Sequence, residues 1–133
     1  MSEELDDASP LSPVVLVVED DPRIASVLTR GLEKHGFRSE WVTSGSEAIA
    51  RLDRGGIDVH LLDLGLPDID GLEVLRRLRE RGTEVPTVIV TARTDPRDRA
   101  AALELGVKHY LTKPFAWAEL ASAIRASCSR KAE

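Results

Sequence analysis

The sequence predicts an α/β protein on an open parallel sheet, five strand–helix units in one domain. Three observations predict it. Short apolar runs alternate with longer segments of helical periodicity, the pattern of parallel strands joined by crossover helices. The first run, Val14 to Val18, is apolar at every position, as expected of a central strand covered on both faces. The first four helical segments open on a capping residue, twice followed by proline, and close on glycine.

Met1 to about Ser12 has several carboxylates and no apolar periodicity, so it reads as a flexible tail before a domain over 13–128, with a short tail over 129–133. After the first strand, Asp21 and Pro22 start a helix whose Ile24, Val27, Leu28 and Leu32 share a face until Gly36 stops it. Phe37 to Val42 is the second strand. Ser44 and Glu47 have the spacing of a capping box, and Ala48, Ile49 and Leu52 form the stripe of a helix that runs out at Gly55-Gly56. Ile57 to Leu62 is the third strand. Asp70 and Glu73 repeat the capping spacing, and Leu72, Val74, Leu75 and Leu78 make a third helix closed by Gly82. Thr87 to Val90 is the fourth strand, Asp95-Pro96 to Gly106 the fourth helix, and Tyr110 to Thr112 the fifth strand. The last helix, Trp117 to about Ser127, buries Leu120, Ala121 and Ile124.

Composition narrows the function classes. A chain of 133 residues holds one compact domain, and 42% hydrophobic with 31% charged residues excludes a disordered chain. Eighteen basic against 23 acidic side chains leave a net charge of −5 without a basic block, which argues against direct nucleic-acid binding through phosphates. Cys128 is alone, so no internal disulfide forms. No apolar run approaches the roughly 20 residues that cross a bilayer, and the start MSEELDDASP is not a signal peptide. The expectation is a cytoplasmic protein with no membrane partner.

In an open parallel sheet, ligands sit at the carboxyl ends of the strands where the strand order reverses. The residues just past the strands are Glu19 and Asp20, Thr43 and Ser44, Asp63, Thr91 and Ala92, and Lys113 and Pro114. Three converging carboxylates repel unless a cation sits among them. Hard oxygen donors from few residues favour Mg²⁺ completed by waters over a calcium cage, and no Cys/His cluster supports a zinc site. A carboxylate, an ammonium, a hydroxyl and a metal around one point are the parts that hold a phosphoryl group in transfer.

The segments VVLVVEDD, LLDLGLPDIDG, VIVTAR and HYLTKPF, in this order and spacing, resemble the CheY-like receiver domain of two-component response regulators, over about Val14 to Ser127. The resemblance implies a doubly wound, flavodoxin-like sheet in strand order 2-1-3-4-5. It implies that Asp63 is the phosphoacceptor, supplied by a sensor histidine kinase or histidine phosphotransfer protein. Glu19 and Asp20 match the acidic pair that holds Mg²⁺, or Mn²⁺ in its place, together with Asp63 and the Gly65 backbone carbonyl. Thr91 matches the switch hydroxyl, Ala92 its small neighbour, and Tyr110 the aromatic that follows the switch. Lys113 would pair with the phosphoryl group, and the Lys113-Pro114 bond is expected to be cis. Such a protein is not an enzyme in the ordinary sense, since it catalyses only its own phosphorylation and dephosphorylation, and its output is a downstream protein effector.

Other residues have plainer readings. Asp21 suits helix capping better than metal binding; Asp68 and Asp70 belong to the turn before the third helix. His35, His60 and His109 lack metal-ligand spacing and read as structural or surface residues. Trp41, Phe115 and Trp117 could form a docking patch or partial core, and Cys128 has no neighbouring base. Many receivers dimerise through helix four, strand five and helix five. Arg99 and Glu119 fit that homodimer face, whereas Lys108, His109 and Ala123 depart from it. Gly65 and Arg93 occupy positions that tune hydrolysis of the phosphoryl group.

Two alternatives carry different chemistry. A haloacid-dehalogenase-like phosphatase also forms an aspartyl phosphate but wants a second aspartate two residues on, where this chain has Gly65 after Asp63 and Pro22 after Asp20. An unphosphorylated docking domain would keep the fold without the chemistry. A nucleotide-binding module is weaker, because EDDP replaces a glycine-rich phosphate loop.

Overall fold

The computed structural model describes residues 11–129. Strands β1 (Val14–Val18), β2 (Arg38–Val42), β3 (Val59–Leu62), β4 (Thr87–Thr91) and β5 (His109–Thr112) alternate with helices α1 (Pro22–Lys34), α2 (Gly45–Asp53), α3 (Gly71–Glu80), α4 (Pro96–Glu104) and α5 (Trp117–Ser129). All strand pairs are parallel, in the order β2-β1-β3-β4-β5. The alternation of side chains along each strand splits the core in two. Leu16 and Val18 of β1 join Leu62 and Ile89 under α2, α3 and α4. Val15 and Val17 join Leu61 and Val88 under α1 and α5.

Caps set the element boundaries. Asp21 accepts the Arg23 N–H at 2.9 Å, Ser44 the Glu47 N–H at 3.2 Å, Asp70 the Leu72 N–H at 2.9 Å and Asp95 the Arg97 N–H at 2.9 Å. Neither expected capping box closes. Glu47 accepts from the N–H and hydroxyl of Thr43, one residue before the cap, and Glu73 turns to Arg76 and Arg77. Observed strand ends differ from expectation by one or two residues, the usual fraying. The largest case is β3: Ile57 and Asp58 precede its pairing, although Asp58 exchanges two hydrogen bonds with Val14.

One expected face is wrong. On α1, Ala25, Leu28 and Leu32 are buried, while Ile24 is 40% and Val27 61% exposed. The pair lies one residue ahead of the buried stripe, about 100° around the helix, so it turns away from the sheet. The expected N-terminal tail falls outside the described residues except for Leu11 and Ser12; Ser12 gives its carbonyl to the Arg38 guanidinium. Helix α5 runs to Ser129, the first residue assigned to the C-terminal tail; the remainder of that tail lies outside the described residues. Among the described residues, no helix is long and apolar enough to cross a membrane.

Candidate functional site

Because β1 and β3 are neighbours and β2 lies on the far side of β1, the chain's strand order reverses between them. That is where a doubly wound sheet opens a crevice at its carboxyl edge. Glu19 and Asp20 follow β1 there, and Asp63 follows β3. Lys113 follows β5 and extends the ladder by donating its N–H to the Thr91 carbonyl at 2.9 Å. The Lys113-Pro114 peptide bond is cis.

Asp63 is held at both oxygens. The Lys113 ammonium donates to Oδ2 at 2.7 Å and the Gly65 N–H to Oδ1 at 3.0 Å. Lys113 also stands 3.9 Å from Glu19 Oε1. Glu19 is only 5% exposed. Burial raises its pKa first of all, and the neighbouring carboxyls of Asp20 and Asp63 push the same way, while the Asp21 N–H and Lys113 oppose. The sequence-expected Asp63, Lys113 and Glu19 therefore meet, with exposed Asp20 and Gly65 at the rim.

Thr91 and Tyr110 each bond to the backbone of Arg93 in the loop after β4. Thr91 is 1% exposed and its hydroxyl accepts the Arg93 N–H at 3.2 Å. The Tyr110 hydroxyl donates to the Arg93 carbonyl at 3.2 Å, and the Arg99 guanidinium lies 5.2 Å above its ring. Ala92, next to Thr91 in the chain, is exposed. The Arg93 side chain crosses to the neighbouring loop, donating to Asp70 Oδ2 at 2.6 Å and to the Leu64 carbonyl at 3.4 Å. The residue after the phosphoacceptor candidate and the cap of α3 are thus tied to the loop after β4.

Three further contributors were not assigned a site role from sequence. Asp68 accepts the N–H groups of Gly45 and Ser46 and the Ser46 hydroxyl, fastening the β3–α3 loop to the start of α2. Burial pushes its carboxyl up, but those donors outweigh it and hold the pKa well below the usual range. Gly71 lets α3 approach so closely that an added Cβ would lie 2.6 Å from Leu64 Cα and 2.8 Å from the Asp63 carbonyl. Trp41 donates its indole N–H to the Glu19 carbonyl at 2.6 Å. Only the Gly71 contact has a sequence signal, a glycine at the start of a helix where an ordinary side chain would do.

The donor set suits a hard dication. Among the described residues no three acidic, histidine or cysteine side chains stand close enough to enclose an ion. One or two carboxylates completed by water are what Mg²⁺ prefers. A single ammonium between the Glu19 and Asp63 carboxylates, with Asp20 beside Glu19, leaves negative charge in excess, and a further cation would offset it.

Comparison with known proteins agrees with this geometry. The family model described as response regulator receiver domain matches residues 15–125. The chain is 43% identical over 119 residues to the transcriptional regulatory protein TrcR of Mycobacterium tuberculosis, covering 90% of this chain and 46% of that protein. It is 45% identical over 116 residues to the sensory transduction protein RegX3 of Mycobacterium bovis, covering 87% and 51%. The chain spans about half the length of these curated relatives. The receiver domain of the Francisella response regulator 1452 superposes with a TM-score of 0.84 at 30% identity, covering 90% of this chain and 99% of that one. Phosphorylation of an aspartate, with magnesium, belongs to the chemistry of such domains, and neither the phosphatase nor the unphosphorylated docking reading is favoured. This chain belongs to the response regulator receiver domain family.

Proposed function

We propose that Asp63 accepts a phosphoryl group from a phosphohistidine of a sensor kinase or phosphotransfer protein, and that the modified site changes affinity for a protein effector. The observation that carries it is the Asp63 carboxylate at the end of β3, bonded to Lys113 at 2.7 Å beside the buried Glu19. In the transfer, an Asp63 carboxylate oxygen bonds to phosphorus as the phosphorus–nitrogen bond breaks. The electron pair of that bond goes to the imidazole nitrogen, which takes a proton. Lys113 moves with the charge from the carboxylate to the phosphoryl oxygens. Glu19, Asp20, Asp63 and the Gly65 carbonyl would hold Mg²⁺, or Mn²⁺ in its place, which supplies charge neutralisation at the phosphoryl oxygens. The same groups serve hydrolysis of the aspartyl phosphate, so the domain acts catalytically on itself alone.

The new phosphoryl charge, about −1.5 to −2 units, is a stronger acceptor than Asp63 was, and the Thr91 hydroxyl, at the end of neighbouring β4, is the donor that would turn toward it. Turning toward it breaks the Arg93 N–H bond to Thr91 and frees the loop on which the Tyr110 hydroxyl rests, with Ala92 leaving room for the movement. For the donor protein, α1 supports a seat: Pro22 follows the acidic turn directly, and Ile24 and Val27 are exposed on the outer face. For a homodimer through α4, β5 and α5, support is thinner. Arg99 is engaged with Tyr110, and Leu103 is the one large apolar side chain exposed on α4. A cytoplasmic setting fits a partner kinase that draws on ATP.

Incubation with acetyl phosphate and Mg²⁺ tests the reading. One phosphoryl group is expected on the wild type and none on Asp63→Asn; equal labelling of both would end it. Thr91→Ala is expected to label normally and lose most of the change in effector affinity, whereas a full response in that variant contradicts the proposed switch.

A further inference from the structure

We propose that Trp41 is a positioning residue for the acidic turn, its indole N–H locking the Glu19–Asp20 peptide so that both carboxylates are presented to a divalent cation. The inference rests on the metal-binding reading above and adds a residue to it. Trp41 lies on β2 opposite Val17, one strand from the site, and is 41% exposed. A ring that open contributes little to the core. Its one directional contact is the 2.6 Å hydrogen bond to the Glu19 carbonyl.

The bond falls where the β1–β2 ladder ends. At Glu19 the parallel ladder ends: the Glu19 N–H still reaches the Val42 carbonyl at 3.0 Å, but β2 stops at Val42. The indole then takes the carbonyl that follows. With the N–H and C=O of Glu19 both fixed, and its carboxylate accepting the Asp21 N–H at 3.1 Å, the backbone from Val18 to Asp21 has little freedom left. The next side chain out is that of exposed Asp20, whose direction is set by this peptide plane. Fixing ligands before the cation arrives removes an ordering cost from binding. The same argument makes Trp41, unlike Trp117 stacked on His35 against α1, a reporter of the turn.

The test is calorimetric titration of MgCl₂ into the full chain and into Trp41→Phe, which keeps an aromatic ring and removes the N–H. The affinity of the variant is expected to fall about 3- to 10-fold, the usual worth of one hydrogen bond. Its thermal midpoint in EDTA is expected to stay within a few degrees of wild type. Equal affinities overturn the proposal, as does a lowered midpoint with unchanged affinity, which would make Trp41 merely structural. If Trp41→Phe does not fold, the indole N–H resonance of the wild type is followed instead: it should shift in step with Mg²⁺ saturation, and an unmoved signal overturns the proposal. A wild type that binds no Mg²⁺ defeats the underlying metal-binding reading as well, an outcome distinct from failure in the variant alone.

Discussion

At the scale of single residues, His60 is the most costly choice in the core. It sits on β3 between Leu16 and Thr87, fully buried, with no hydrogen-bond partner at either ring nitrogen among the described residues. Burial drives its pKa from 6.5 down to about 3. The fold accepts only the neutral imidazole, so this residue's contribution is intact above pH 6.5 and is lost as pH falls toward 3. The slope is about 1.4 kcal/mol per pH unit. Denaturant titrations should therefore show wild-type stability dropping below that pH, with a flatter profile for His60→Leu; parallel profiles would contradict it. Gly31 is a second such residue: an added Cβ would lie 2.2 Å from two indole carbons of Trp117. Alanine gains about 1 kcal/mol of helix propensity over glycine, but overpacking costs typically 1–3 kcal/mol, so Gly31→Ala should lower the thermal midpoint. An unchanged midpoint would mean that Trp117 moves freely. Neither residue announces itself in the sequence, because burial of a histidine and contact of a glycine depend on which helix covers which strand.

At the scale of elements, the loop after β4 is the part whose state matters. Helix α4 buries only Ala102, so its own packing holds it weakly. Its N-terminal loop is held by Arg93 to Asp70 and Leu64, and by the Tyr110 hydroxyl. Burial raises and the Arg93 guanidinium lowers the Asp70 carboxyl, with the lowering ahead. Removing that tie should speed amide hydrogen exchange over 92–95 in Arg93→Ala while exchange in β1 and β3 stays as it was. Unaltered exchange in the loop would show that Arg93 does not restrain it. Element order, caps and glycine stops were legible because they are local. The outward turn of Ile24 and Val27 was not, since a helix with two adjacent apolar stripes does not say which one the sheet takes.

At the scale of the whole molecule, the strand order does most for function. It brings β1 beside β3, and so places Glu19 and Asp63, 44 positions apart in numbering, at one crevice with Lys113. The carboxylates and the lysine were legible as strand-end residues, and the family resemblance supplied their order. Of the supports, Gly71 alone left a trace, as a glycine opening a helix; Trp41 and Asp68 act through tertiary contacts that no spacing encodes. The account's central claim is that this convergence makes one carboxylate, that of Asp63, the phosphoryl acceptor. The most direct measurement is to treat the chain with acetyl phosphate and Mg²⁺, reduce the acyl phosphate with borohydride, and locate the resulting homoserine by peptide mass spectrometry. The account predicts homoserine at position 63 alone, abolished by EDTA; homoserine at position 20, the corresponding glutamate product hydroxynorvaline at position 19, or no reduced residue at all, would contradict it.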